Sequence, residues 1–208
     1  MNQVLQHEQL PNAAHEYIIF QNAVSKDLCN EIIDLGKGKW EDASITHLHK
    51  GDLVTRNSKR QRQSEIAWCT EQKFIDLAFS IAYKANATAQ WNFQIDFVES
   101  MQIAKYGIDG HFDFHNDGNG FSRTINNKTR KLSMSLILND DYEGGQFEFF
   151  GHSEYDNDKK SETIITDSIQ SNVGDVIVFP SYIVHRVKPV TKGTRYSLVA
   201  WFCGEPFR

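Results

Sequence analysis

Two histidines and two aspartates crowd the segment His111-Phe112-Asp113-Phe114-His115-Asn116-Asp117. In an extended chain, residues two apart leave the same side of the backbone. His111, Asp113, His115 and Asp117 are therefore expected on one face, with Phe112 and Phe114 anchoring the other. A His-x-Asp pair offers one metal ion an imidazole and a carboxylate. A second His would complete the two-His-one-carboxylate set that leaves positions open on Fe(II). Both His111-x-Asp113 and His115-x-Asp117 have that form. The candidate third ligand is His185, in Val184-His185-Arg186-Val187, just past the turn, strand and stop of Gly174-Asp175-Val176-Ile177-Val178-Phe179-Pro180-Ser181.

A cation lies at a useful spacing from His185. Val184–Val190 and Thr194–Phe202 read as a hairpin turning near Lys192. On that pairing His185 opposes Val199, and Arg195 faces the same side about 13 Å along the sheet. The Arg side chain spans roughly half of that, leaving roughly 6 Å for a bridging ligand, given the strand rise. A five-carbon dicarboxylate fits the gap, one end on the metal and the other forked by the guanidinium. Ser197 shares the face and is placed to donate to the same carboxylate.

These residues need a rigid frame. Ser25 can cap a helix over Lys26 to Leu35, with Asp27 in its first turn, Gly36 just past its end, and Leu28, Ile32 and Leu35 on one face. Thr70 can cap a second helix to about Asn86, where Phe74, Leu77, Ala78 and Ile81 form an apolar stripe. From Phe93 onward the signals are short strands: Gln94–Glu99, Met101–Tyr106, Leu132–Leu138, Gln146–Phe150, Thr163–Ile165 and Val176–Phe179 precede the two strands already named. Leu132, Met134, Leu136 and Leu138 share one face, and Ser133, Ser135 and Ile137 the other. The first half thus reads mainly helical and the second half β. The expected fold is mainly β with flanking helices, a double sheet of sandwich or barrel type. The polar run from Gly151 to Lys160 reads as an exposed loop. Lys50 to Arg62, with five basic residues, reads as a solvated loop or as a mobile segment that touches an acidic substrate or covers a site.

Composition narrows the class. A chain of 208 residues with 22 basic and 27 acidic side chains has a net charge of −5. That argues against nucleic acid or an anionic membrane as main partner. A hydrophobic fraction of 40%, with 14 Phe, builds a core, and the length favours a single domain. Cys29, Cys69 and Cys203 are odd in number and form no CxxC, so neither a disulfide framework nor a structural zinc site is expected, and a reducing, cytoplasmic setting fits. The polar stretch Met1–Pro11 does not read as a signal peptide, and the longest apolar run, Leu198–Cys203, is too short to span a bilayer.

Taken in order, Tyr106-Gly107, His115-x-Asp117, Arg130-Lys131-Leu132-Ser133, Glu143-Gly144-Gly145, Gly174-Asp175 to Phe179-Pro180, His185 and Gly193-Thr194-Arg195-Tyr196-Ser197 resemble the prolyl 4-hydroxylase-like branch of the Fe(II)- and 2-oxoglutarate-dependent dioxygenases. The resemblance runs from about Tyr17 to the end. It implies a double-stranded β-helix (jelly-roll or cupin-like), with residues 1–90 as largely helical support and 91–208 as the core carrying the active site, all in one domain.

The resemblance implies that His115, Asp117 and His185 bind Fe(II). It prefers His115-x-Asp117 over His111-x-Asp113 because members carry an aromatic residue directly before the ligand His, as Phe114 is here. Arg195 would hold the distal carboxylate of 2-oxoglutarate, and Tyr106 would contact the same cosubstrate or else serve as a half-buried strand aromatic. The implied activity is hydroxylation of an unactivated C–H bond with oxygen as oxidant and ascorbate as accessory reductant, and the implied partner is a Pro-containing peptide or protein. Hydroxylation of another side chain or a small molecule, nucleobase repair, and a non-catalytic binding module are the competing readings. Repair members carry a second Arg six positions after the cosubstrate Arg, where this chain has Trp201, read as core.

Overall fold

Along the strand that holds Leu132, Met134, Leu136 and Leu138, every second side chain is apolar, and the alternation decides what each side of the central sheet covers. The computed structural model describes residues 4–5, 15–49, 52–56, 58–118, 127–156 and 161–207. Its elements are β1 (Val4–Leu5), β2 (Ile18–Phe20), α1 (Lys26–Leu35), β3 (Glu41–Asp42), β4 (Ile45–His49), β5 (Asp52–Arg56), β6 (Arg62–Gln63), β7 (Glu65–Cys69), α2 (Gln72–Thr88), β8 (Phe97–Val98) and β9 (Met101–Tyr106). They continue with β10 (His111–His115), β11 (Thr129–Ile137), β12 (Glu143–Gly144), β13 (Phe147–Asp156), β14 (Ser161–Ile169), β15 (Val176–Pro180), β16 (His185–Val187), β17 (Val190–Lys192) and β18 (Arg195–Gly204). A large sheet runs β1-β2-β15-β11-β18-β9-β7-β3, with β8 also on β18, and a smaller sheet runs β14-β13-β16-β10-β6. β12 pairs with β17, and β4 with β5. This is the expected double-stranded β-helix.

Leu132, Met134, Leu136, Val176, Val178, Leu198, Ala200 and Phe202 bury one face of the large sheet against the two helices. Ser25 Oγ accepts from the Leu28 amide at 3.3 Å, as expected for the cap of α1. The buried centre of α1 is Cys29 and Ile32, however, while Leu28 is exposed. α2 starts one residue later than Thr70 would cap it: Glu71 is the N-cap, and its carboxylate accepts from the Thr70 amide at 3.1 Å. The buried positions of α2 are Phe74, Ala78, Ala82, Ala85 and Asn86, so small residues let the helix lie close to the sheet. Beside these helices, residues 15–90 hold six short strands, so this half is not largely helical. The strands were missed because each is two to five residues long.

The other face of the large sheet looks into the molecule. Cross-strand partners share a face, and the register pairs Ser133 with Phe179 and Trp201, Ser135 with Ile177 and Val199, Ser197 with Ile137 and Ala104, and Arg195 with Tyr106. Ile177, Phe179, Ala104 and Tyr106 meet Phe147, Phe149, Val187 and Val190 across the gap in a second apolar core.

The hairpin expected around Lys192 does not form. β16 pairs with β10 and β13 in the small sheet, whereas β18 pairs with β9 and β11 in the large one. Pro189 offers no N–H to a ladder, and the chain leaves the small sheet there. The polar run after Gly151 is also not a loop throughout: β13 and β14 pair from Phe147↔Ile169 out to Asp156↔Ser161, with the exposed residues on a long hairpin. Residues 157–160 lie outside the described residues, as do Lys50 and His7. Among the described residues, no helix is long and apolar enough to cross a membrane.

Candidate metal centre

β10 pairs Phe112 with Val187 and His115 with His185, so three steps along β10 match two along β16. The extra residue is a bulge, which resets the alternation and re-aims the side chains after it. The expectation of one face for His111, Asp113, His115 and Asp117 fails for that reason. Phe112, expected opposite His115, stacks flat on it, with ring centroids 3.5 Å apart and planes 12° apart. His111 turns away: its ring nitrogens lie 2.8 Å from the Asp109 carbonyl and 3.2 Å from that of Arg60. Asp113 is exposed, and its carboxylate accepts from the Phe114 amide at 2.8 Å.

The structure brings His115, Asp117 and His185 together, with one ligand atom from each, all within 4.8 Å of one another. His115 ends β10 and His185 begins β16. Asp117 sits on the turn beyond β10, where its amide and that of Gly118 both donate to the Ser181 carbonyl at 2.9 Å. The two Nε2 atoms each lie 3.6 Å from an Asp117 carboxylate oxygen. That is too long for a hydrogen bond. It matches donors that share an ion, since two atoms each about 2.1 Å from one centre lie roughly 3 to 4 Å apart.

The far side of each imidazole fixes its tautomer. His115 Nδ1 lies 2.8 Å from the Asp113 carbonyl, and His185 Nδ1 lies 3.0 Å from that of Ile183. A carbonyl only accepts, so Nδ1 carries the proton and the Nε2 lone pair faces Asp117, as a ligating histidine requires. Burial pushes His185 down to about 4 against the upward pull of Asp117, so the ring is neutral at neutral pH. Burial alone would raise the Asp117 carboxyl, but His185, His115 and then Arg130 outweigh it and hold it well below the usual range. One carboxylate and two imidazole nitrogens at these positions fit a divalent metal ion.

Arg195 opens β18 in the large sheet, whereas His115 and His185 belong to the small one, so the two do not share a strand pair. It is 1% exposed. Nη1 donates to Ser197 Oγ at 2.9 Å, while Nε, also buried, has no partner. Among the described residues no carboxylate pairs with it. A buried charge left this way costs several kcal/mol, so the site suits an anion. Tyr106, its register partner, is buried, its ring centroid 5.5 Å from the guanidinium carbon. Gly145, at φ +63°, lets the chain pass close by: a Cβ there would lie 3.0 Å from Arg195 Cδ.

Three residues escaped the sequence reading. Arg130 donates to Glu99 through Nε and Nη2, at 3.1 and 2.5 Å, and to the Asp117 carbonyl at 3.2 Å. Its guanidinium lies 4.3 Å over the Trp201 ring. Trp201, read as plain core, is buried with an unpartnered Nε1 on the inward face. Arg62 lies against Phe112, on the side of the ring stack away from the metal centre. Arg130 stood inside a quoted motif, but its partners lie far along the chain.

Residues 101–203, which contain His115, Asp117, His185, Arg195, Tyr106, Arg130 and Trp201, match the family model described as the 2OG-Fe(II) oxygenase superfamily. A PKHD-type hydroxylase of Hyphomonas neptunium is 24% identical over 188 residues, covering 88% of this chain and 76% of that protein. The fold is shared with a prolyl-4-hydroxylase of Pseudomonas putida at a TM-score of 0.63 and 18% identity, covering 90% of this chain and 92% of that one. A prolyl hydroxylase of Trichoplax adhaerens, solved with a hypoxia inducible factor peptide fragment, matches at a TM-score of 0.59 and 16% identity, over 90% of this chain and 83% of that one. With Fe(II), 2-oxoglutarate and oxygen as the reactants its family uses, the chain belongs to the 2OG-Fe(II) oxygenase superfamily as a 2-oxoglutarate-dependent dioxygenase.

Proposed function

We propose that the chain is a single-domain peptidyl-prolyl 4-hydroxylase whose substrate is a Pro-containing segment of another protein. The observation that carries this reading is a His-Asp-His cluster on the small sheet together with a buried guanidinium, on the inward side of the large sheet, that has no acidic partner among the described residues. Prolyl hydroxylases are among the fold neighbours, and one of them was solved with a peptide fragment.

On this reading His115, Asp117 and His185 hold Fe(II), and Arg195 forks the distal carboxylate of 2-oxoglutarate. Bound there, the metal and its cosubstrate supply the oxygen chemistry that puts one oxygen atom into an unactivated C–H bond. Asp117 contributes the anionic donor, and the Nδ1 hydrogen bonds keep both imidazoles oriented before any ligand arrives. Ser197 accepts from Arg195, which leaves its own hydroxyl hydrogen for the carboxylate. Tyr106 closes the pocket beside Arg195. Phe147, Phe149, Phe179 and Val187 make the walls apolar and exclude water from the reacting centre. Ascorbate serves as the accessory reductant, and a cytoplasmic setting suits a ferrous site and three buried cysteines.

The test is mass spectrometry of a Pro-rich peptide library after incubation with Fe(II), 2-oxoglutarate and oxygen. Gain of one oxygen atom on proline is the expected result. Succinate formed without peptide modification would remove the proline assignment while leaving the dioxygenase chemistry.

A further inference from the structure

We infer that Arg62, acting through Phe112, is a positioning residue that holds the His115 ring at the metal centre, an inference that rests on His115 being a metal ligand. Arg62 and Phe112 are register partners on β6 and β10, so their side chains leave the same face. The guanidinium carbon lies 4.7 Å from the Phe112 centroid, within the range where a ring face attracts a cation. The imidazole of His115 stacks flat on the same phenyl ring with centroids 3.5 Å apart, which leaves the opposite face for the cation. Cation, phenyl and imidazole are thus in consecutive contact, and the imidazole Nε2 points to Asp117.

Arg62 is fixed for this task. It is 8% exposed, with Nε donating to Ser64 Oγ at 2.9 Å and Nη2 to Gln102 Oε1 at 3.4 Å. Among the described residues it has no carboxylate partner, so neutral oxygens and the ring face are its compensation for burial.

The two histidines differ in what holds them. His185 is boxed by Phe147, Phe149 and Phe179 inside the core. His115 stands at a strand end, after a bulge, with one tether at Nδ1. A single hydrogen bond lets a ring tilt about its own axis; a phenyl face 3.5 Å away stops the tilt on that side, provided the phenyl is itself pinned.

The test uses Co(II) as probe, with affinity from calorimetry and geometry from its visible absorption, on full-length protein without 2-oxoglutarate. Arg62→Met and Phe112→Leu are each expected to weaken Co(II) binding about tenfold, the usual scale for residues that orient a ligand, and to shift the absorption bands. Arg62→Lys, which keeps a cation over the ring, should lose no more than about threefold. The double variant should bind no more weakly than Phe112→Leu alone, because Arg62 acts through that ring. Wild-type affinity and spectrum in Arg62→Met would overturn the inference, as would losses that multiply in the double variant. If Arg62→Met does not fold, wild-type behaviour of Phe112→Leu overturns it equally. His115→Ala separates the two layers: unchanged Co(II) affinity there removes the ligand reading itself, whereas loss there with none in Arg62→Met removes the positioning role alone.

Discussion

Arg130 and Arg195 stand at opposite ends of the β11–β18 pair, and their surroundings differ in kind. Arg130, partnered across the ladder with Cys203, spends its donors on Glu99 and the Asp117 carbonyl and its face on Trp201. Burial works against its charge, and the Glu99 bond outweighs it and holds the guanidinium more firmly protonated. Arg195 is more deeply buried, yet has one hydroxyl for company and an Nε with nothing. A charge whose donors are all matched braces the fold. A charge left short of partners in a dry interior costs stability until an anion arrives, and the protein keeps it for that anion.

The contrast gives the two residues opposite signs under the same substitution. Arg195→Met should weaken 2-oxoglutarate binding by about 100-fold or more, corresponding to about 3 kcal/mol for one buried charge-assisted carboxylate pair. Calorimetry of the metal-loaded protein reads this directly. Arg130→Met should instead destabilise the ligand-free protein by about 2 kcal/mol, because it leaves the half-buried Glu99 without its cation; partial exposure of the pair keeps this below the value for a fully buried one. Replacing Glu99 by Leu as well should recover part of the loss, and strict additivity of the two would show that they do not act as a pair. In the ligand-free state Arg195→Met should raise stability, by about 1 kcal/mol, since it removes an uncompensated buried charge. A fall in melting temperature there would collapse the distinction between brace and receptor.

The receptor end was the more legible in the sequence. His115, Asp117, His185 and Arg195 stand out by residue type and spacing, and the family resemblance chose His115-x-Asp117 over His111-x-Asp113. What brings them together was not legible. The interval from His185 to Arg195 alternates like a hairpin, and only Pro189 signals that β16 and β18 belong to different sheets. The bulge in β10 depends on counting residues in a partner strand some seventy positions away, so Phe112 was assigned to the wrong face. The brace end was opaque for a related reason: Arg130 and Glu99 are 31 residues apart, and nothing in either neighbourhood names the other. Long strands with alternation, such as β11, were legible because their two faces meet different surroundings, Leu132, Met134 and Leu136 against the helices and Ser133 and Ser135 toward the interior, which leaves a two-residue period in the sequence.

Ser197 gives the smallest and most discriminating measurement. With the pocket empty its hydroxyl accepts from Arg195 Nη1. With a carboxylate in place, Nη1 can turn to the ligand and the hydroxyl can donate to it as well. Ser197→Ala therefore removes one hydrogen bond from each state. Stability of the ligand-free protein should fall by about 1 kcal/mol, the net value of a typical internal hydrogen bond. Affinity for 2-oxoglutarate should change by no more than about threefold, because the two losses nearly cancel in the difference. A tenfold loss of affinity with unchanged stability would mean that Ser197 binds the ligand in its own right and that Arg195 does not depend on it when empty. The receptor end would then hold two independent donors, and the guanidinium would be still further from compensated than its single bond to Ser197 makes it.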